Sequence, residues 1–148
     1  FADADLKKAT RAAAMSIFMN AGQACVAGSR ILVQREIYQE FLVGFKTAAA
    51  KWPVGSPFHR ASRMDPLVSK RQYDRVPDYL ASAKKDGRVL FGGGRPQELV
   101  GLPDTSLGYF IEPTAIVDID NGARACQEEI FDPVATIIPF GARSAYCQ

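Results

Sequence analysis

Cys25 is the residue of this sequence that is best suited to chemistry, because of the small residues around it. It stands between Gly22 and Gly28, at a turn that follows a helical pattern and precedes a strand-like run. Glycines let another backbone or a ligand approach closely. Free backbone N–H groups at such a turn would stabilise a thiolate, the nucleophilic form of cysteine. The alternative is a small buried core cysteine, which composition alone favours, since free cysteine is among the most buried residue types.

A pairing of Cys25 with His59, the only histidine, would indicate a different chemistry, that of a thiol hydrolase. The residues around Cys25 do not match the papain-type cysteine signature, however. His59 also lies in a polar loop beside Arg60 and Arg63. We therefore interpret His59 as a surface histidine, and we expect Cys126 to pack as a small hydrophobic residue.

Several motifs resemble the aldehyde dehydrogenase superfamily, and they occur in the family's order. Gly22, Gln23 and Cys25 match the Gly-Gln-x-Cys turn that carries the family's nucleophile. A second family signature is similar to the run Glu128-Glu129-Ile130-Phe131-Asp132-Pro133-Val134. Shorter segments at residues 1–6, 54–58, 92–94 and 108–114 also fit. The resemblance predicts a partial aldehyde dehydrogenase catalytic domain over residues 1–140 and a non-matching tail over residues 141–148.

The resemblance also implies an activity and a set of site residues. It makes Cys25 the catalytic nucleophile, which would attack an aldehyde and pass through a thiohemiacetal and a thioester. It matches Glu129 to the glutamate that hydrogen-bonds the nicotinamide ribose, and Phe131 to the aromatic residue beside the nicotinamide. The implied reaction is oxidation of a small-molecule aldehyde to an acid with NAD or NADP, in a homo-oligomer.

Other parts of the family's machinery are expected to lie outside this sequence. The family's glutamate base, its oxyanion-hole asparagine and most of its dinucleotide-binding domain come before the segment that resembles residues 1–140. We therefore expect the cofactor to be bound mostly by an upstream domain, and the isolated chain to be inactive. The alternative hypothesis is a non-catalytic α/β remnant that acts only by associating with other subunits.

Two Asp-Pro pairs depart from the family's pattern, which has Gly-Pro at both places. They are Asp65-Pro66 and Asp132-Pro133. Glycine permits backbone angles that an aspartate resists, particularly before proline. Asp132 would also add a negative charge close to Glu129, and we expect it to weaken the cofactor contact there.

The elements that must position these residues follow from the apolar periodicity. Helices are predicted over residues 3–20, over the run from Tyr38 to Ala49, and from a Ser69/Gln72 capping box to Gly87. Short apolar runs at residues 30–34, 88–91, 114–117 and 134–138 predict strands. Strands that alternate with amphipathic helices indicate an α/β fold with a largely parallel sheet flanked by helices.

Composition narrows the function classes further. The chain has 18 basic and 16 acidic residues, a net charge of +2, and no long basic run, so nucleic-acid binding is not expected. No stretch is apolar enough to span a bilayer, so no membrane partner is expected. Three cysteines without metal-like spacing predict no metal site and indicate a reducing compartment, the cytoplasm.

Overall fold

The structure, a computed structural model, describes residues 1–104 and 108–141. Its helices and strands follow in the order α1 (Leu6–Phe18), β1 (Arg30–Gln34), α2 (Tyr38–Ala49), α3 (Lys70–Asp86), β2 (Arg88–Phe91), β3 (Thr114–Val117), α4 (Arg124–Gln127) and β4 (Val134–Phe140). Of the predicted tail over residues 141–148, residues 142–148 lie outside the described residues, and Cys147 is among them.

The four described strands form one sheet in the order β1-β4-β3-β2. β4 pairs in parallel with β1 and with β3, whereas β2 runs antiparallel to β3 at one edge. Every residue of β3 is buried, as is nearly all of β4, which is typical of central strands covered on both faces. The expected α/β fold with a largely parallel sheet flanked by helices is confirmed.

Helix α1 is shorter than the predicted 3–20, and its end shapes the candidate site. Asp5 caps its first turn, where the carboxylate accepts a hydrogen bond of 3.0 Å from the Lys8 N–H. A 3-10 turn over Met19–Gly22 follows, and Asn20 and Ala21 both have left-handed backbone angles there. The helix therefore ends at Phe18, two residues before the predicted end at residue 20.

Helix α2 packs beside α1 through aromatic side chains. The Phe45 ring lies 5.8 Å from that of Phe18 and 5.9 Å from that of Phe41, measured between centroids. Trp52, just after the helix, lies 6.3 Å from Phe18. The Tyr38 hydroxyl donates to the Ile137 carbonyl at 2.9 Å, which fixes the start of α2 to β4.

Helix α3 begins at the predicted cap but uses only half of the predicted capping box. The Ser69 hydroxyl accepts a hydrogen bond of 3.3 Å from the Gln72 N–H. The Gln72 side chain does not fold back on the cap. It extends instead to the chain between α4 and β4, where it takes part in the candidate site.

Candidate active site

The turn that carries Cys25 is built from strained backbone and held by local hydrogen bonds. Asn20, Ala21 and Gly22 are three consecutive left-handed residues, with φ of 56°, 52° and 71°. Such angles cost about 1–2 kcal/mol for each residue that has a Cβ, and strain of this kind concentrates at functional sites. The Asn20 side chain donates to the Gln23 carbonyl at 2.9 Å. These three residues end the helical run just before the segment that carries Cys25.

Cys25 lies at the tip of a second, hydrogen-bonded turn. The Ala27 N–H donates to the Ala24 carbonyl at 3.0 Å, and Cys25 and Val26 span the corner. Both corner residues are exposed, Val26 to 86%. Within residues 1–104 and 108–141 the Cys25 N–H donates to no protein acceptor. The thiol and an unused backbone donor therefore reach solvent at the same corner.

Glu129 and Phe131 lie on the irregular segment between α4 and β4. The Glu129 side chain is exposed, and its carboxylate has no hydrogen-bonding partner among the described residues. Phe131 is half-buried and adopts a left-handed φ of 64°, which is uncommon for a bulky residue. Ile130 between them is buried at 3% exposure and anchors the segment in the core.

The fold brings the Cys25 turn and the Glu129–Phe131 segment together from opposite ends of the chain. They come just before β1 and β4, which are parallel neighbours paired at Arg30 and Thr136. The backbones of the two segments meet where Gly22 packs on Asp132. A Cβ at position 22 would lie only 2.5 Å from the Asp132 carbonyl carbon. Only glycine fits this contact, because it lacks a Cβ and tolerates the left-handed φ.

Two residues on the first turns of α3, Gln72 and Arg75, donate hydrogen bonds to the backbone of the Glu129–Phe131 segment. The Gln72 amide nitrogen donates to the carbonyl of Ile130 at 2.8 Å and to that of Phe131 at 3.3 Å. The Arg75 guanidinium donates to the Glu129 carbonyl at 3.3 Å. Sequence reasoning missed both roles. The only local signal was that both are polar residues on the helix turn that follows Ser69.

Asp132 is buried, at 2% exposure, rather than facing Glu129 across solvent. Its Oδ2 accepts from the Gln72 amide at 2.7 Å, while its Oδ1 is buried without a hydrogen-bond partner. Burial raises the pKa of this carboxyl to about 7, so that near neutral pH much of it is uncharged. Its φ is not left-handed either, so the expected conflict with glycine-like backbone angles does not arise at Asp132.

Glu128 belongs to a separate polar network at the surface. Its carboxylate accepts from the Tyr79 hydroxyl at 2.9 Å and from Arg124 at 3.1 Å. These two hydrogen bonds, Tyr79 first, lower its pKa. The Arg124 guanidinium also stacks over the Tyr79 ring at 4.4 Å. Glu128 is thus occupied by protein donors, whereas the Glu129 carboxylate remains open to solvent.

The remaining candidate residues take the structural roles expected of them. Cys126 is buried at 7% exposure, and burial raises the pKa of its thiol. His59 is exposed, and its Nδ1 accepts from the Ala61 N–H at 3.2 Å. Across the part of the chain that the structure describes, no cluster of three or more His, Cys, Asp or Glu residues could hold a metal ion. No helix among these residues has the length and apolar character needed to cross a membrane.

Known proteins resemble this chain in sequence and in fold. A sequence model described as the Aldehyde dehydrogenase family matches residues 1–145. The hydroxyisobutyraldehyde dehydrogenase of Mycolicibacterium austroafricanum is 41% identical over 138 residues, which are 93% of this chain and 26% of that protein. The 2-aminomuconic semialdehyde dehydrogenase of Mus musculus is 42% identical over 141 residues, 95% of this chain and 29% of that protein.

Among solved structures, an aldehyde dehydrogenase of Mycobacterium tuberculosis complexed with NAD+ superposes with a TM-score of 0.89. It is 39% identical in sequence, and the match covers 97% of this chain and 29% of that one. The chain thus spans about a quarter to three tenths of the length of these relatives. The family match over nearly its whole length shows that the chain belongs to the aldehyde dehydrogenase family of oxidoreductases.

Proposed function

We propose that the protein oxidises a small-molecule aldehyde with NAD or NADP, and that Cys25 is its nucleophile. The observation that carries this proposal is the corner at Cys25, where an exposed thiol and an unused backbone N–H sit together. The left-handed turn just before that corner packs, through Gly22, on Asp132 at the end of the Glu129–Phe131 segment. Nucleophile and candidate cofactor contacts therefore occupy one place in the fold, although about a hundred residues separate them in sequence.

The chemistry at Cys25 follows from these groups. The thiolate attacks the aldehyde carbon, a C–S bond forms, and the carbonyl electron pair moves to oxygen. The oxyanion needs a preorganised donor, and the Cys25 N–H is available to supply a hydrogen bond. A bound nicotinamide cofactor would supply the acceptor for the hydride that leaves this carbon, and the acyl group would then remain on Cys25 as a thioester. Hydrolysis of the thioester then releases the acid and restores the thiol.

The proposed cofactor residues suit the nicotinamide end of a dinucleotide. The unpartnered Glu129 carboxylate can accept hydrogen bonds from two ribose hydroxyls. Phe131 offers an apolar ring beside it, and its left-handed backbone is held by the Gln72 amide. These residues would reach one end of the cofactor, so we propose that the remaining contacts come from other parts of the protein.

The test is aldehyde-dependent reduction of NAD+ or NADP+ by the full-length protein, followed by absorbance. Cys25→Ser should lower kcat by several orders of magnitude, because an alkoxide is not available at neutral pH without activation. Cys126→Ala is the matched control, since it removes a buried thiol whose hydrogen-bond partner is Thr136 and none of the proposed site residues. Turnover that survives Cys25→Ser would overturn the assignment of the nucleophile.

A polypeptide of residues 1–148 alone should form a thiohemiacetal but should not turn over. Hydride transfer requires a nicotinamide held in line with the reacting carbon, and the proposed contacts, Glu129 and Phe131, would reach only one end of the cofactor. Exposed apolar side chains, among them Val43, Phe58 and Val68, support our further proposal of a homo-oligomer. If neither this polypeptide nor the full-length protein oxidises aldehydes, the alternative function, subunit association without catalysis, is favoured.

The free thiols of Cys25 and Cys126 support a cytoplasmic location.

A further inference from the structure

The two carboxyl oxygens of Asp132 have unusual surroundings for a buried carboxyl group. One oxygen accepts a hydrogen bond of 2.7 Å from the Gln72 amide, and the other is buried with no partner. Buried polar atoms are rarely left without a partner, and an exception calls for an explanation. Asp65 provides a contrast, because it also precedes a proline but is exposed. Burial at position 132 is therefore a property of this place in the fold and not of the Asp-Pro pair.

The Gln72 side-chain amide depends on Asp132 for one of its hydrogen-bond acceptors. Its amide nitrogen has two hydrogens and faces three oxygens, two backbone carbonyls and the Asp132 carboxyl. The shortest of the three distances is the one to Asp132. The carboxyl thus fixes the direction of the Gln72 amide, and the amide in turn fixes the carbonyls on either side of the Phe131 Cα.

The same residue touches the nucleophile turn through its backbone. The Asp132 carbonyl packs on Gly22 and also accepts a hydrogen bond of 2.7 Å from the Val134 N–H. Its side chain and its main chain therefore contact three elements at once: the first turn of α3, the turn before Cys25 and the start of β4.

From these contacts we infer that Asp132 is a positioning residue, which holds the Glu129–Phe131 segment against the Cys25 turn by orienting Gln72. This inference rests on the proposed function, because the segment matters only if it holds the cofactor. It reverses the expectation from sequence, in which Asp132 weakened the site by adding negative charge.

The protonation of Asp132 should control how firmly the segment is held. From α3 the charged group that acts on it is Arg75, while the turn before Cys25 presents the uncharged Gly22. Glu129 is exposed, and Glu128 is engaged by Tyr79 and Arg124. The proton belongs on the unpartnered Oδ1, so the hydrogen bond from Gln72 survives in the neutral form. Above neutral pH the carboxyl ionises, which places a negative charge in the core while Oδ1 accepts no hydrogen bond. We expect this to loosen the Glu129–Phe131 segment.

The experiment measures amide hydrogen exchange and steady-state kinetics on the full-length protein. Asp132→Ala removes the acceptor, and we expect the KM for NAD(P)+ to rise roughly tenfold, the effect of one hydrogen bond to a charged or partly charged group. The value of kcat should change much less, because Asp132 touches no reacting atom. Exchange protection should fall together at the Val134 N–H, which donates to the Asp132 carbonyl, and at the Gln23 N–H, which donates to the Asn20 carbonyl.

Asp132→Asn keeps a side-chain acceptor at position 132 but cannot ionise, so it distinguishes the hydrogen bond from the charge. It also provides a test if Asp132→Ala does not fold. It retains an acceptor for Gln72, so its KM should stay within about twofold of wild type at pH 6. From pH 6 to pH 8 the KM of the wild type should rise and the protection of its Val134 N–H should fall, whereas both should stay constant in Asp132→Asn. Asp65→Ala, at the other Asp-Pro pair, should behave as wild type throughout.

Specific outcomes would overturn the inference. If Asp132→Ala keeps wild-type KM and protection, or if Asp132→Asn behaves like Asp132→Ala, orientation of Gln72 is not what Asp132 does. If the wild type does not oxidise aldehydes, the proposed function fails, yet the exchange measurements still decide whether Asp132 holds the two segments together.

Discussion

Replacing Gly22 by alanine should damage both the stability of the fold and the candidate site. The new Cβ would lie 2.5 Å from the Asp132 carbonyl carbon and 2.9 Å from the Pro133 nitrogen, and both are backbone atoms. A left-handed φ of 71° costs an alanine about 1 kcal/mol. Relief of the overlap by backbone movement adds about 2 kcal/mol, as overpacking does elsewhere. We therefore expect the free energy of unfolding to fall by about 3 kcal/mol.

The assay is urea unfolding of the wild type and Gly22→Ala, together with the rate at which iodoacetamide alkylates Cys25 in the folded protein. The backbone shift should also change the alkylation rate, since it moves the turn that carries the thiol. Gly94→Ala is the matched control: its φ is not left-handed, and its Cβ would meet nothing closer than a Glu112 carboxylate oxygen at 3.7 Å. It should alter stability by less than about 0.5 kcal/mol. A Gly22→Ala protein as stable as Gly94→Ala would refute the close packing of Gly22 on Asp132.

Three other measurements probe the described contacts. For Asp132, a pKa raised from 3.8 to about 7 means that folding favours the neutral form, so wild-type stability should fall as pH rises from about 4 to about 7. The loss, about 4 kcal/mol at 1.36 kcal/mol per pKa unit, should be absent from Asp132→Asn in urea titrations at each pH. Limiting iodoacetamide should label exposed Cys25 before Cys126, whose pKa is raised by burial, and mass spectrometry showing the reverse order would contradict the exposed corner. Tyr79→Phe removes the first cause of the lowered pKa of Glu128, so NMR titration should find that pKa higher, and an unchanged value would rule out the hydrogen bond.

Local pattern was enough to predict most of the fold. The strand over residues 30–34 has the bounds that its branched apolar residues predicted, and the helix from Tyr38 to Ala49 follows its apolar face. β4 continues to Phe140, two residues past the predicted 138, because its pairing with β1 extends that far. These elements are set by side chains within a few positions of each other, which is the range that periodicity can report.

The candidate site could be predicted only in part, because it depends on contacts between distant residues. The resemblance pointed to Cys25, Glu129 and Phe131, and their roles remain predictions. Nothing in the local sequence indicated that Ala21 adopts left-handed angles, which a residue with a Cβ normally avoids. The burial of Asp132 was missed for a related reason: aspartate is seldom buried, and the partner that makes it possible, Gln72, lies 60 positions away.

The parallel pairing of β1 with β4 sets the order in which this protein can assemble. The Thr136 hydroxyl and the Ser29 carbonyl that meet beside the Cys25 turn are 107 positions apart, and closing a loop of that length costs about 4 kcal/mol of chain entropy. Contacts of such long range form late and slow the folding of the proteins that contain them. During synthesis the thiol of Cys25 emerges long before β4 exists to close the site. Until then it is a free thiol on an incomplete fold, open to oxidation, so the reactive residue of this chain is most vulnerable before its site has formed.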